Sequence, residues 1–285
     1  MLPLEIKSRI ESCLSENLNQ SVVVNSYQTI SGGCINNALK LKTTYGEYFL
    51  KWNLGSKQKM FEAEYKSLQI LNNTHTFYIP ELICFDDDFL ITEFIDPANN
   101  SKKFWGTFGR NLARLHNKSN PKFGLSFDNY IGSLPQQNAF ENNWITFFIR
   151  HRLNAQLKIG YFPNNILADF EELFVKLPNL FPNEKPSLLH GDLWSGNFLI
   201  KNKDTPVLID PAIYYGYREM DIAMSKLFGG FNSDFYDYYN ETFPLEKEWE
   251  ERVKLCNLYP LLVHVNLFGG GYLNQVKNIL SYYVG

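Results

Sequence analysis

Apolar and polar positions change their period several times along this 285-residue chain, and the changes mark its elements. "MLPLEIKSRIESCLSEN" carries its charges at the periodicity of an amphipathic helix. "SVVVNSYQTI" then reads as a β-branched strand, and "INNALKLKT" and "EYFLKWN" alternate about a "TYG" turn, which is a hairpin signal. In "KQKMFEAEYKSLQILNN" the period lengthens, with Phe61, Glu64, Leu68 and Leu71 at helical spacing. "ELICFD" and "FLITEFI", on either side of Asp86-Asp87-Asp88, read as two more strands.

Beyond about Asp96 the pattern turns helical. "SKKFWGTFGRNLARLHNKS", "ENNWITFFIRHRLNAQLKI", "LADFEELFVKL", "YREMDIAMSKLF" and "EKEWEERVKLCNL" all read as helices. Only "NFLIKNKDTPVLID" interrupts them with strand character. The "IDPANNSKK" segment, Ile95 to Lys103, has the proline and asparagines of a linker. The prediction is an α+β chain of two lobes. Residues 1–95 form a small antiparallel-sheet lobe with one inserted helix, and residues 96–285 a larger, mainly helical lobe. That is the outline of a protein-kinase-like fold.

Composition narrows the function. Hydrophobic residues make up 45% and charged residues 20% of the chain, as in an ordinary folded protein. A net charge of −3 gives no reason to expect a nucleic-acid or acidic-lipid partner. The longest apolar stretch, "LYPLLVHVNLF", is too short to span a bilayer and contains His264 and Asn266, and the N-terminus is not a signal peptide. Cys13, Cys34, Cys84 and Cys256 are scattered, which argues against a zinc site or disulfide framework and suits a reducing compartment. A soluble cytoplasmic protein, without nucleic-acid or membrane partner, is the expectation.

The chemistry concentrates in "LLHGDLWSGNFLI", Leu188 to Ile200. If residues 202–205 form a turn, Phe198 pairs with Ile209, Leu199 with Leu208 and Ile200 with Val207. Asn197 and Asp210 then stand opposite each other, about 5 Å apart at their Cα atoms. A carboxamide and a carboxylate so placed could share Mg²⁺, a hard cation that prefers oxygen ligands and takes the rest from water and phosphates. Asp192 lies close enough upstream to accept a proton from a substrate hydroxyl. The five-residue offset of Asp192 and Asn197 matches the kinase catalytic loop H-R-D-x-x-x-x-N, with Gly191 replacing Arg. A plain turn and hairpin is the competing account.

In the first lobe, "SGGCINNA" places Gly32 and Gly33 between two strands, where backbone N–H groups could fold over phosphates. Lys51, in the next strand, is placed to bind phosphate and needs a counter-ion. Glu64 is favoured for that and Glu62 competes. Backbone groups of Glu93, Phe94 and Ile95 could meet an adenine edge, a purely positional expectation. Gly269-Gly270-Gly271 follows a helix-like run and reads as a break between helices, and His116 and His264 read as satisfied core histidines.

Taken together, "SGGCINNA", "MFEAEYKSL", "NNWITFFIRHRLNAQL", "LLHGDLWSGN", "IDPAIYYGYREMDIAMSKLFGGF" and "YPLLVHVNLFGGGY" resemble the fructosamine (ketosamine) 3-kinase family nearly end to end, with bacterial-type members nearest in length. The family shares its fold with aminoglycoside and choline phosphotransferases, which leaves another small alcohol as the alternative acceptor. The resemblance implies ATP-dependent phosphorylation of the C3 hydroxyl of a ketosamine, after which elimination expels the phosphate and frees the amine. It implies Asp192 as base, Asn197 and Asp210 as ligands of Mg²⁺ or Mn²⁺, and Lys51 with Glu64 on the phosphates. Trp194, two residues past the base, could pack on the sugar–amine adduct or between lobes. The resemblance also implies a redox-sensitive Cys34, sometimes linking two chains, so that a monomer and a redox-linked homodimer are both open.

Overall fold

The computed structural model describes residues 2–30, 36–55 and 59–285. The chain divides into two compact units. One is Met1–Ser101 with Leu199–Ile209, and the other is Lys102–Phe198 with Asp210–Gly285.

The first unit opens with helix α1 (Leu4–Leu18), whose Ile6, Ile10 and Leu14 recur every fourth residue and are buried together. Strands β1 (Val24–Thr29), β2 (Asn37–Thr43) and β3 (Gly46–Trp52) follow, then helix α2 (Met60–Asn72), β4 (Leu82–Asp86) and β5 (Phe89–Glu93). They form one antiparallel sheet in the order β1-β2-β3-β5-β4. Alternation sets its core: Leu39 and Leu41 of β2, Leu50 of β3, and Phe89 and Ile91 of β5 pack with the α1 stripe.

A disulfide joins Cys13 of α1 to Cys84 of β4 across 71 residues, with the Cα atoms 6.4 Å apart. This corrects the expectation drawn from scattered cysteines. Spacing in sequence cannot register that α1 lies against β4, where Arg9 also bridges Asp86 and Asp88 at 2.7 Å each. Among the described residues Cys256 is the free cysteine, and it is buried.

The second unit contains α3 (Phe104–His116), the short hairpin β6 (Asn129–Ile131) and β7 (Leu134–Gln136), and α4 (Trp144–Phe147). A π-helical turn, Phe148–Leu153, then leads into α5 (Asn154–Leu157), and α6 (Asn164–Leu180) and β8 (Ser187–Leu189) follow. Next come β9 (Phe198–Lys201) and β10 (Thr205–Leu208), which pair as a hairpin about Asn202 and Lys203, both left-handed at φ 51° and 68°. All of this hairpin beyond Phe198 belongs to the first unit, where Val207 bridges Tyr78 and Lys201 meets Glu93. The chain finishes with β11 (Tyr214–Gly216), α7 (Glu219–Leu227), α8 (Ser233–Thr242), α9 (Trp249–Phe268) and α10 (Tyr272–Val284). β11 pairs antiparallel with β8.

The expected helices are present, as is the helix break at Gly269 to Gly271, where Gly269 and Gly270 both have φ 64°. The run expected as one helix over 141–159 is instead interrupted by the π-helical turn, which carries Arg152 fully buried against Tyr214, 3.9 Å from its ring centroid. Among the described residues no helix is long and apolar enough to cross a membrane.

Candidate active site

In the first unit, β3 buries Leu50 on one face and turns Lys51 to the other. Helix α2 packs through Phe61, Leu68 and Leu71, which orients Glu64 towards that lysine. Lys51 Nζ donates to Glu64 Oε1 at 3.0 Å and Oε2 at 2.8 Å, with the two side chains only 13% and 12% exposed. Glu62, the competing partner, pairs with Lys66 at 2.6 Å instead. Gly32, Gly33 and Cys34 lie outside the described residues.

Glu93, at the end of β5, has its own backbone N–H committed to Glu81 O at 2.8 Å. Its carboxylate accepts from Tyr78 Oη (2.6 Å) and Lys201 Nζ (2.7 Å). Burial alone would raise the Glu93 carboxyl, but these hydrogen bonds outweigh it and hold the group below the usual carboxylate range. Phe94 carries Lys40 Nζ 4.1 Å above its ring, and Ile95 is buried.

In the second unit, the segment from His190 to Asn197 is a closed turn. Asp192 N–H donates to His190 Nδ1 (3.3 Å), Trp194 N–H to Asp192 O (3.2 Å), and Asn197 N–H to Trp194 O (3.0 Å). Asn197 Nδ2 donates to both Asp192 O (2.9 Å) and Asp192 Oδ2 (2.8 Å), so the carboxylate and the carboxamide five residues apart touch directly. Gly191 has φ +84°, and a Cβ there would overlap Ala212 O. That explains the glycine where the kinase pattern has arginine. The strand end carrying Asp210, itself left-handed at φ 52°, is pressed against this turn, with Ala212 N–H donating to His190 O at 2.9 Å.

Two sets of residues that sequence reasoning missed hold these segments. Asp221 of α7 accepts from the backbone N–H groups of His190 (2.7 Å) and Gly191 (2.9 Å). Behind it, His116 lies 3.1 Å from Asp221 Oδ2 and 2.8 Å from Tyr239 Oη, a buried and satisfied histidine as the sequence suggested. Burial pushes its pKa down, against the pull of Asp221. Below Asp210, Gln136 Nε2 donates to Ala212 O (2.9 Å) and Asn129 Nδ2 to Ile213 O (2.8 Å). These bonds cross 30 to 84 residues of sequence and leave no local signature.

The donor set suits a hard divalent cation. Asn197 commits its amide nitrogen to Asp192, leaving its carbonyl oxygen as the atom able to face a metal, and Asp210 supplies a carboxylate. One carboxylate and one carboxamide match an ion that completes its shell with water and phosphate oxygens. Trp194 is half-buried, its six-membered ring held against Gly196 and its plane nearly perpendicular to Phe228 at 6.1 Å.

Comparison with known proteins gives a consistent result. A family model described as "Fructosamine kinase" matches residues 6–284. The chain is 38% identical over 283 residues to a "Probable ketoamine kinase" of Enterococcus faecium, covering 95% of this chain and 99% of that one. It is 37% identical over 268 residues to a chloroplastic "Protein-ribulosamine 3-kinase" of Arabidopsis thaliana, covering 90% and 82%. The solved structure of a "Putative fructosamine-3-kinase" from Haemophilus somnus superposes with a TM-score of 0.88 at 28% identity, covering 97% of each chain.

Proposed function

The chain belongs to the fructosamine kinase family, and from that premise we propose that it transfers the γ-phosphoryl group of ATP to the C3 hydroxyl of a ketosamine. The observation that carries this reading is the direct contact of Asp192 with Asn197 inside "HGDLWSGN". Asp192 accepts the hydroxyl proton, the C3 oxygen forms a bond to phosphorus, and the bond from phosphorus to the ADP oxygen breaks. Because such transition states are loose, positioning and charge neutralisation outweigh proton transfer. Mg²⁺, held by Asn197 and Asp210, would supply that neutralisation on the phosphates. Lys51, oriented by Glu64, binds the phosphates. The backbone of Phe94 and Ile95 offers the adenine contacts.

The product explains the biological use. Loss of a C1 proton from the 3-phosphate gives an enaminol whose electrons expel phosphate from C3, and hydrolysis then frees the amine. The enzyme thereby reverses glycation. A need for ATP suits the cytoplasm, whose reducing environment would bear on the Cys13–Cys84 disulfide.

The deciding experiment is ATP consumption against synthetic ketosamines, with an aminoglycoside and choline as controls. Turnover of ketosamines alone is expected, and turnover of only the controls would overturn the reading. Asp192→Asn should still bind ATP yet lose transfer by a factor of at least about a hundred. Wild-type turnover in that variant would remove Asp192 as the base. Asp210→Ala, or excess chelator, should abolish activity through loss of the metal.

A further inference from the structure

Just past Asp210 and Pro211, three consecutive residues are each held by a buried polar side chain from a distant part of the second unit. Ala212 O accepts from Gln136 Nε2 at 2.9 Å, Ile213 O accepts from Asn129 Nδ2 at 2.8 Å, and the Tyr214 ring carries the Arg152 guanidinium at 3.9 Å. Two chains of hydrogen bonds stand behind these contacts. In the first, Tyr259 Oη of α9 donates to Gln136 Oε1 at 2.7 Å, which turns the Gln136 amide nitrogen towards Ala212. In the second, Arg152 Nη2 donates to Asn138 Oδ1 at 2.8 Å and Asn138 Nδ2 to Asn129 Oδ1 at 2.9 Å, which leaves Asn129 Nδ2 for Ile213. Gln136 Nε2 also donates to Asn129 Oδ1 at 2.8 Å and ties the two chains together. Asn129, Gln136, Asn138, Arg152 and Tyr259 are all buried.

Stability alone does not call for this arrangement. Apolar side chains of similar size would hold the segment without the cost of burying polar groups, and among the described residues no carboxylate pairs with the buried Arg152 cation. What the hydrogen bonds add is direction, since each fixes one atom against another. The group that needs direction lies two residues upstream. Asp210 stands at φ 52°, a conformation that a non-glycine residue keeps only where its surroundings impose it. Ala212 is pinned on both sides, by its N–H on His190 O at 2.9 Å and by its carbonyl on Gln136. We propose that Tyr259, acting through Gln136, sets the position of the Asp210 carboxylate and thereby how tightly the divalent cation is held. Tyr259 and Gln136 are positioning residues, and their role rests on the reading of Asn197 and Asp210 as the metal ligands. Mg²⁺ demands near-ideal octahedral geometry, so a small displacement of one ligand weakens its hold. Tyr259→Phe keeps the ring and removes only the hydroxyl. It leaves Gln136 Oε1 buried without that donor and the amide able to turn away from Ala212.

The test measures Mn²⁺ binding to the full chain by electron paramagnetic resonance with ADP present, beside steady-state kinetics. Tyr259→Phe should raise the Mn²⁺ dissociation constant by about tenfold. The Mg²⁺ concentration for half-maximal turnover should rise in parallel, with KM for the ketosamine unmoved. Gln136→Met, which removes the next link, should act alike, and the double variant should be no worse than either alone because the two residues form one chain. Phe170→Leu, a core substitution in α6, should lower the unfolding midpoint and leave the Mn²⁺ constant where it was. An unmoved constant in Tyr259→Phe, additive effects of the two substitutions, or an equal shift in Phe170→Leu would overturn the inference. Mn²⁺ binding as tight in Asp210→Ala as in the wild type would remove the metal assignment, and the positioning role with it. The Mn²⁺ constant is read without turnover, so a wrong choice of acceptor alcohol would leave it intact.

Discussion

At position 191 a single methyl group carries two penalties. It would collide with Ala212 O, and it would occupy a backbone conformation, φ +84°, that side chains rarely adopt. Gly191→Ala should therefore push the Asp210 segment off the His190–Asn197 turn. We expect a loss of about 1–3 kcal/mol in stability, and a fall in kcat larger than that loss explains, read from denaturation and kinetics side by side. The two carboxylates of α2 give a second contrast. Glu64→Gln removes the carboxylate that orients the largely buried Lys51 ammonium, and kcat/KM for ATP should drop by about tenfold or more. Glu62→Gln affects an exposed pair and should change it little. Lys51 and Glu64 were legible in sequence because strand alternation and helical spacing each fix a direction. Asp221, Gln136 and Asn129 were not, because their partners are backbone atoms whose position only the folded chain defines.

Among the elements, α7 holds the start of the His190–Asn197 turn. It carries Asp221, and His116 of α3 backs that carboxylate from inside the core. Folded His116 has its pKa lowered by burial, while an unfolded histidine titrates near 6.5. The unfolded chain therefore binds more protons below that value. The contribution is intact above pH 6.5 and is lost as pH falls through it, at up to about 1.4 kcal/mol per pH unit for one proton. Denaturant titrations over pH 5 to 7 should show this slope in the wild type and a flatter one in His116→Asn. An unchanged slope would assign the effect to other groups. Periodicity located α2, α3, α6, α7 and α9 in the sequence. It failed at Phe148–Leu153, where the π-helical turn keeps the apolar spacing of a helix yet sends Arg152 inward to Gln137 O and Asn138 Oδ1. It also passed over β8 and β11, each of three residues, which are too short for alternation to register.

For the whole molecule, the protein-kinase-like α+β plan was legible because the strand period and the helix period occupy separate stretches of sequence. The Cys13–Cys84 cross-link was not, since it depends on how α1 packs on β4. Closing a loop of that length should stabilise the fold by about 2–4 kcal/mol, so reductant, or Cys13→Ser with Cys84→Ser, should lower the unfolding midpoint. An unshifted midpoint would count against the bond. Nor did the sequence indicate that Leu199–Ile209 completes the unit begun by Met1–Ser101. That return has a consequence during synthesis. A ribosome releases the first hundred residues long before Lys201 exists to answer the carboxylate of Glu93. The nascent amino-terminal third must wait, incomplete, for roughly another hundred codons to be read. A purified fragment ending at Ser101 should accordingly be unstable until a synthetic 199–209 peptide is supplied.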